Sequence, residues 1–254
     1  MWLTIPCYNE ADRLDPLAVK CLLDDERLRV LFVDDGSKDR TLDVLRLIEK
    51  QHPGRVEVLS LASNLGKGEA VRLGMLRGLE LGSRIVGYLD ADFATPPKEF
   101  HRLLDVLESK KEVQVLMGTR IARLGATIER KAWRHYLGRV FATAASNVLD
   151  LVVYDTQCGA KLFRDHPAIR QALSEPFRSR WAFDVELIGR LLHSDKPLSV
   201  SEFWEEPLWE WHDRRGSKLS WASMIRTGMD VLWMGALVAR FGGAAFYPSR
   251  LKNA

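Results

Sequence analysis

The sequence predicts an α/β fold built on a doubly wound, mostly parallel sheet. Two observations in the first half of the chain predict it: short apolar runs alternate with helical patterns, and a polar segment follows each run. Most of the runs are β-branched or Leu-rich, which is typical of strands that helices cover on both faces. Ligands bind to such sheets at the carboxyl ends of the strands. The segments that follow the strands therefore carry the functional prediction.

The elements of the first half follow in a strand–helix order, which favours parallel pairing. Pro97 stands at a first helical position, where its missing N–H costs nothing. The predicted strands are Met1–Ile5, Val30–Val33, Val56–Leu59, Ile85–Leu89 and Val113–Met117. The predicted helices are Glu10–Leu23, Thr41–Gln51, Gly68–Leu81 and Pro97–Ser109.

The second half is less regular. Its predicted helices are Arg130–Leu149, Phe183–Leu192 and Leu219–Phe241, and its predicted strands are Gly159–Phe163 and Val200–Trp204. No linker rich in Gly, Pro or Ser interrupts the chain. We therefore predict one domain over 1–218, followed by an amphipathic helix and tail over 219–254 that docks on the domain or on a membrane surface.

Composition excludes several classes of function. A net charge of +3 gives no electrostatic footprint for nucleic acid, so no nucleic-acid partner is expected. The three cysteines form no C-x-x-C pair, which argues against a zinc site or a disulfide framework, and Cys158 is expected to be a packed residue. No signal peptide is expected, and the longest apolar stretch, Val231–Ala239, is too short to span a bilayer. A cytoplasmic location, with at most peripheral membrane contact, follows as the expectation.

Polar segments follow all five predicted strands of the first half. They are Pro6–Glu10, Asp34–Ser37, Asn64–Gly68, Asp90–Asp92 and Gly118–Arg120. Each alone has an ordinary structural explanation, since Asp-Gly is a common turn and Asp-x-Asp often caps a helix. Five in succession, at the edge where α/β sheets bind ligands, predict a functional site.

The residue types in these segments suit a nucleotide-sugar. Asp90 and Asp92 lie two apart at a strand end, so both carboxylates can face one pocket and hold Mg²⁺ or Mn²⁺ together with diphosphate oxygens. Lys67 stands between glycines, where ammonium and backbone can approach phosphate closely. Asp35 is placed to accept hydrogen bonds from a base or a ribose. A metal ion on the diphosphate also stabilises the charge that grows on the leaving group.

The series P-x-Y-N-E, D-D-G-S, N-x-G-K-G and D-A-D resembles the family-2 glycosyltransferases in order and spacing. The resemblance implies a GT-A fold and sugar transfer with inversion at the anomeric carbon. It implies a metal site at Asp90 and Asp92. The donor site that it implies, together with Lys67, consists of Pro6, Tyr8, Glu10, Asp35, Asp90, Ala91 and Asp92.

Three later segments, Asp155–Phe163, Arg180–Glu186 and Gly216–Leu219, resemble the dolichyl-phosphate glucosyltransferases. The related mannose synthases commonly carry D-L-T-G-S in the first segment and Gln in place of Asp184. The resemblance implies transfer of glucose from UDP-glucose to a polyprenyl phosphate, dolichyl or undecaprenyl. Three alternatives stay open: a GDP-mannose donor, a soluble hydroxyl acceptor, and a nucleotide-sugar-binding protein without activity. The complete set of Asp and Lys residues argues against the last.

Basic residues are the candidates for the acceptor phosphate. Arg130 and Arg134 lie one helical turn apart and belong either to a solvated helix face or, with Arg120, to a phosphate clamp. The clamp is the favoured interpretation, and Gln157 and Lys218 are expected to add polar contacts to it. Asp184 is the catalytic candidate, because it stands where the family carries its base or an acceptor-side polar group. A phosphate monoester has a second pKa of about 6 and is already anionic at neutral pH, so it needs no strong base.

Two features have two interpretations each. The tryptophans Trp181, Trp204, Trp209 and Trp211 suit either ordinary packing or a sugar or lipid surface. The helix Leu219–Phe241 has one apolar face, which suits either docking on the domain or binding at a membrane interface. No oligomeric state is predicted.

Overall fold

The computed structural model describes residues 1–129, 132–214 and 221–251, with side chains described except at 132–137 and 221–226. The strands are β1 Trp2–Cys7, β2 Arg29–Asp34, β3 Val56–Ser60, β4 Ile85–Leu89, β5 Val115–Thr119, β6 Thr127–Glu129, β7 Ala160–Arg164, β8 Phe203–Pro207 and β9 Glu210–His212. The α-helices are α1 Pro16–Leu23, α2 Thr41–Gln51, α3 Lys67–Glu80, α4 Pro97–Ser109, α5 Ala132–Leu149, α6 Pro167–Ala172, α7 Phe183–Leu192, α8 Trp221–Phe241 and α9 Pro248–Leu251. Short 3₁₀ helices cover Val200–Glu202 and Gly242–Phe246.

Seven strands form the central sheet in the order β3-β2-β1-β4-β7-β5-β8. Strand β7 runs antiparallel to β4 and β5, and the other neighbouring pairs are parallel. The chain builds outward from β1 through β2 to β3 and then returns to place β4 on the other side of β1. The carboxyl ends of β1 and β4 therefore flank the point where the strand order reverses, which is where open α/β sheets bind their ligands.

Helices cover both faces of this sheet, as predicted. One buried cluster joins alternate residues of β1, such as Leu3 and Ile5, to helices α1, α2 and α4. The other joins β4, β5 and β7 to helices α3, α5 and α7, with Tyr88, Phe163 and Phe183 near its centre. The strands pack on both sides because their side chains alternate between the two faces.

All seven strands and all seven helices predicted from the sequence are present; several of their ends are shifted, and three of these shifts have an identifiable local cause. Helix α1 begins at Pro16 rather than Glu10, because Asp15 caps it through the Leu17 N–H and residues 10–14 form a turn. Strand β5 begins two residues late because the Val113 N–H closes a turn on Lys110. Strand β8 is 203–207 rather than 200–204, because Ser199 opens a capping box and a 3₁₀ turn precedes the strand.

Four short elements were not predicted: β6, β9, α6 and α9. Strands β6 and β9 pair in parallel as a separate two-stranded sheet, with Ile128 opposite Trp211. This small sheet immediately precedes 130–131 and lies two residues before 215–220, both outside the described residues. The predicted acceptor residues Arg130 and Lys218 fall in those two gaps.

Helix α8 packs against α5 and the second 3₁₀ helix, and buries Val231 and Met234. Its opposite face leaves Met229, Leu232 and Trp233 largely exposed. Among the described residues one segment, Thr227–Phe246, is long and apolar enough to cross a membrane by length and composition alone; its mean hydropathy is 1.2 and 22% of it is buried. By length and composition, the expectation that no segment could span a bilayer was wrong, because the run Val231–Ala239 stops at the charged residues Asp230 and Arg240, which the longer segment contains. The division at residue 218 stays a prediction.

Candidate active site

The carboxyl ends of β1, β2 and β3 surround a cavity of about 540 Å³, a size typical of small-molecule sites. Tyr8, Asp34 and Ser37 line one part of it, and the loop 60–64 lines another. Tyr8 was predicted for the nucleoside site, whereas Asp34 was passed over in favour of its neighbour. The D-D-G-S motif alone does not tell which of its two carboxylates faces a cavity.

Asp35 is buried and holds the loop that leads into α3. Its carboxylate accepts hydrogen bonds from the backbone N–H of Leu65 at 2.7 Å, the backbone N–H of Gly66 at 2.9 Å and the Asn64 side-chain amide at 2.9 Å. Burial raises the pKa of Asp35 more than these backbone hydrogen bonds lower it. The observed role of Asp35 is to shape the loop before Lys67, and its contact with a base or ribose stays a prediction.

The segment Pro6–Glu10 is fastened to the turn after β2. The Asn9 side chain accepts from the Lys38 N–H at 2.8 Å, and the Asn9 N–H donates to the Ser37 hydroxyl at 3.0 Å. Asn9 has a φ of 49°, a left-handed conformation that asparagine tolerates better than most residues. The Glu10 N–H donates to the Thr41 hydroxyl, and the Glu10 carboxylate lies 3.3 Å from the Arg13 guanidinium. The predicted donor residue Glu10 thereby orients a cation that the sequence did not single out.

Asp90 and Asp92 follow β4 and face two cations. The Lys67 ammonium lies 2.6 Å from Asp90, and the Arg13 guanidinium lies 3.5 Å from Asp92. Burial raises the pKa of Asp92, and the charge of Asp90 raises it further against the opposing effect of Lys67 and Arg13. Burial lowers the pKa of Lys67, but Asp90, Asp184 and Asp92 together raise it above its ordinary value. Ala91, between the two carboxylates, is buried.

This carboxylate pair fits a hard divalent cation whose shell is completed by a substrate. The charge of Asp90 raises the pKa of Asp92, and a cation between the two carboxylates would relieve that repulsion. Within the part of the chain that the structure describes, no group of three or more His, Cys, Asp or Glu side chains is placed to hold a metal by itself. Asp90 and Asp92 would therefore hold the ion through one or two carboxylates, with phosphate oxygens and water as the remaining ligands.

The turn 157–160 packs directly on Asp90. The Asp90 N–H donates to the Gly159 carbonyl at 3.0 Å, and a Cβ on Gly159 would lie 2.0 Å from Asp90 Oδ2. Only glycine leaves room for this carboxylate. Cys158 is buried beside it, and burial raises the pKa of the thiol to about 11, which keeps it protonated and unreactive. The prediction that Cys158 is a packed residue is confirmed.

Asp184 lies in the first turn of α7 and is almost fully buried. Its Oδ1 accepts hydrogen bonds from the Lys161 ammonium at 2.7 Å and from the Tyr88 hydroxyl, and its Oδ2 lies 3.5 Å from the Gln157 amide nitrogen. Burial, with the charge of Asp184, raises the pKa of Tyr88 well above its ordinary value, so Tyr88 stays a donor. The structure thus brings the predicted residues Gln157 and Asp184 together.

Sequence reasoning missed Lys161 and Tyr88. They face each other across the antiparallel pair β4–β7, a register that no local pattern reveals. The signal was a lysine in the middle of an otherwise apolar strand, where a buried charge requires a partner. The Lys161 ammonium also donates to the Cys158 carbonyl at 2.7 Å, so it joins Asp184 to the turn that packs on Asp90.

Arg120, after β5, is fixed in place by a bidentate pair with Asp155. The two hydrogen bonds measure 2.6 and 2.8 Å, and the guanidinium lies over the Trp211 ring at 5.3 Å. Of the other predicted acceptor residues, Arg130 and Lys218 lie outside the described residues, and so does the side chain of Arg134. The predicted clamp therefore stays a prediction.

Three of the four predicted tryptophans differ in exposure and in their neighbours. Trp211 is buried, while Trp204 lies under the Lys110 ammonium at 3.8 Å and Trp209 under the Arg123 guanidinium at 4.2 Å. Packing against a cation therefore accounts for part of the burial of the two half-exposed rings, Trp204 and Trp209.

Known proteins with similar sequences are glycosyltransferases. Residues 2–170 match the model of a family described as glycosyl transferase family 2. The chain belongs to glycosyltransferase family 2. It is 31% identical to a dolichyl-phosphate β-glucosyltransferase of Dictyostelium discoideum over 245 aligned residues. The alignment covers 90% of this chain and 71% of the relative. It is 27% identical to a polyprenol monophosphomannose synthase of Mycolicibacterium smegmatis, over 78% of this chain and 76% of that one.

The family-2 chain also resembles solved structures. Glucosyl-3-phosphoglycerate synthase from Mycobacterium tuberculosis, in complex with Mn²⁺, UDP and glucosyl-3-phosphoglycerate, superposes with a TM-score of 0.63 at 18% identity, over 95% of this chain and 79% of that one. The fold is GT-A, as the motifs predicted. The prediction of a family-2 glycosyltransferase is likewise confirmed.

Proposed function

We propose that this glycosyltransferase moves glucose from UDP-glucose to a polyprenyl phosphate, with inversion at the anomeric carbon and with Mg²⁺ or Mn²⁺ on the donor diphosphate. The observation that carries the proposal is the meeting of two sets of groups at the strand-order reversal. Asp90, Asp92 and Lys67 suit a metal diphosphate, and the buried Asp184 lies near enough to Lys67 to shift its pKa.

The donor side rests on the cavity beside Tyr8 and on the carboxylate pair. A nucleoside in the cavity at the ends of β1–β3 would direct its diphosphate toward Lys67 at the start of α3, where backbone N–H groups and an ammonium favour phosphate. The metal ion would supply positive charge to the departing diphosphate. Asp90 and Asp92 are the residues that would hold it.

The acceptor side rests on charge rather than on a base. A polyprenyl phosphate is anionic at neutral pH, so it needs cations to hold it beside the sugar. Arg120 is oriented for this by Asp155, with Arg130, Arg134, Gln157 and Lys218 as the further candidates. The relatives in Dictyostelium and Mycolicibacterium, whose names specify a dolichyl phosphate and a polyprenol, support a lipid acceptor.

A lipid acceptor brings the protein to a membrane. We infer peripheral attachment at the cytoplasmic face through α8, which exposes Met229, Leu232 and Trp233 on one side while its other side packs on α5. Tryptophan at such a surface suits the interface between lipid and water. Flotation with anionic liposomes tests the inference: the protein should rise with the vesicles, and the variant Leu232→Glu/Trp233→Glu should stay at the bottom.

The experiment that tests the function measures release of nucleoside diphosphate from a panel of donors, with and without a polyprenyl phosphate. We expect UDP release from UDP-glucose that depends on the lipid and stops in excess EDTA. Faster turnover of GDP-mannose would replace UDP-glucose as the proposed donor and favour mannosyl transfer, which is the activity that the name of the Mycolicibacterium relative specifies. Turnover with a soluble hydroxyl acceptor but not with the lipid would overturn the proposal.

A further inference from the structure

Two cations of the chain itself cover the two carboxylates that suit a metal ion. The Lys67 ammonium lies 2.6 Å from Asp90 Oδ1, and the Arg13 Nη2 lies 3.5 Å from Asp92 Oδ2. All four side chains are between about a quarter and a third exposed, so the two pairs line an open edge rather than a closed core. Each of the two carboxylates proposed to hold the metal therefore has a counterion of its own.

A bare divalent cation meets an obstacle here. To reach Asp90 and Asp92 it must displace an ammonium and a guanidinium, and both positive groups then stay within a few ångströms of the ion. Like charges at such distances repel each other, and at a partly buried site this repulsion is screened less than it is in bulk water. The carboxylate pair by itself is therefore a poor site for a free metal ion.

A diphosphate removes the obstacle. Its oxygens are ligands that both cations prefer at close range, the ammonium as a point charge and the guanidinium as a bidentate donor. When Lys67 and Arg13 turn to phosphate, the carboxylates are released and the same phosphate supplies further oxygens for the metal. Arg13 is suited to this exchange because Glu10 also holds its guanidinium, at 3.3 Å, and Glu10 is itself fastened to Thr41.

We propose that Lys67 and Arg13 act as internal counterions that keep the Asp90–Asp92 pair from binding a divalent cation until a nucleoside diphosphate is present. This rests on the proposed metal-dependent function and assigns a role to Arg13. Metal and diphosphate then bind cooperatively, and by reciprocity each raises the affinity for the other.

Titration of the full chain with Mn²⁺, followed by the electron paramagnetic resonance signal of the free ion, tests this without an activity assay. The wild type should bind Mn²⁺ weakly alone and tightly with UDP. In Arg13→Met and in Lys67→Met the affinity for Mn²⁺ without UDP should rise by about tenfold, within the usual range of coupling between two sites. The gain on adding UDP should shrink correspondingly.

Two further variants keep the test specific. Arg77→Met removes one positive charge from a similar ion pair, 2.8 Å from Glu57 and away from the carboxyl ends of the strands, and should leave Mn²⁺ binding unchanged. Arg13→Lys keeps the charge and should keep the weak binding of the wild type. Thermal melting checks that each variant is folded.

The outcomes separate the inference from the proposed function. The counterion role alone is overturned by the following pair of results. The wild type binds Mn²⁺ with UDP, and the affinity of Arg13→Met and Lys67→Met for Mn²⁺ without UDP is unchanged or lower than that of the wild type. A wild type that binds no Mn²⁺ even with UDP or GDP overturns the proposed use of metal, and the inference with it.

Discussion

The Lys161 ammonium lies 2.7 Å from Asp184 Oδ1, with the two side chains 1% and 5% exposed. This buried ion pair joins the antiparallel strand β7 to the first turn of α7, and the Tyr88 hydroxyl donates to the same oxygen. Neither charge is solvated by water in the folded protein. Each partner therefore depends on the other, and a change at Asp184 affects stability as well as chemistry.

Lys161→Met should lower the free energy of unfolding by about 3–5 kcal/mol, because it leaves the Asp184 charge buried without its counterion. The double variant Lys161→Met/Asp184→Asn should recover most of the loss, since it removes both charges and keeps Asn as an acceptor for Tyr88. Urea unfolding of the wild type, the two single variants and the double variant measures the coupling directly.

Arg170→Met is the matched control on the surface. Its pair with Asp165 has the same 2.7 Å distance but is half exposed, so the substitution should cost at most about 1 kcal/mol. Equal losses for Arg170→Met and Lys161→Met, or additive losses in the double variant, would mean that burial of the pair has no energetic consequence.

Gly159→Ala should weaken binding of metal and UDP far more than it weakens the fold. The new Cβ would stand 2.0 Å from Asp90 Oδ2, and the easiest relief is rotation of that carboxylate away from its position. Calorimetric titration with UDP and Mn²⁺ should show at least about a tenfold loss, the factor that corresponds to 1.4 kcal/mol. Gly228→Ala, on helix α8 with open space around it, makes the same chemical change and should leave titration untouched. Normal binding by Gly159→Ala would mean that Asp90 has another position from which it can serve.

The strand-end motifs predicted much of the fold and the donor side, because both depend on local patterns. Apolar runs identify strands covered on both faces, and the rule for parallel sheets brings the segments after β1 and β4 to one edge. Asp90, Asp92 and Lys67 were found in this way, and the structure brings all three together. The sequence predicts a helix over Glu10–Leu23 and so does not place Arg13 at the site, whereas residues 10–14 form a turn that brings Arg13 to Asp92.

What the sequence could not supply is register and long-range pairing. Tyr88 and Lys161 become partners only because β7 inserts antiparallel between β4 and β5, an order that no local signal encodes. Arg120 and Asp155 are 35 residues apart, and the segments that contain them showed no pairing pattern. The strands β6 and β9 have three residues each, too short for an alternation to be recognised.

The contribution of His212 to the free energy of unfolding should fall as the pH rises. Hydrogen bonds that the imidazole donates to the carboxylates of Glu210 and then Glu129 raise the pKa of His212, with nitrogen–oxygen distances of 2.6 and 3.0 Å. Because the folded pKa lies above the unfolded one, the stabilisation is complete below about pH 6.5, the ordinary value, and is lost as the pH rises through the raised pKa. The imidazole joins β9 to β6, which directly precedes the predicted acceptor residue Arg130 in the chain.

Melting temperatures between about pH 5.5 and 8.5 check this, since that range spans ordinary histidine titration. His212→Gln should flatten the profile over the upper part of the range, and Glu210→Gln should move its fall to lower pH. A wild-type profile that is flat there, or rises, would contradict the sign.

The last prediction concerns what Asp184 does for the reaction. A hydroxyl acceptor would need a carboxylate to take its proton, an effect typically worth ~10²–10⁴ in rate. A phosphate acceptor is already ionised, and the Asp184 Oδ1 is occupied by Lys161 and Tyr88, which suits a positioning role better than that of a base. Per folded molecule, Asp184→Asn should therefore keep appreciable turnover with a polyprenyl phosphate, while Arg130→Ala and Arg134→Ala lose most of it. Rates must be divided by the folded fraction, because Asp184→Asn also leaves the Lys161 charge unbalanced. A folded Asp184→Asn enzyme without activity, beside near-normal arginine variants, would make Asp184 the base and the acceptor a hydroxyl.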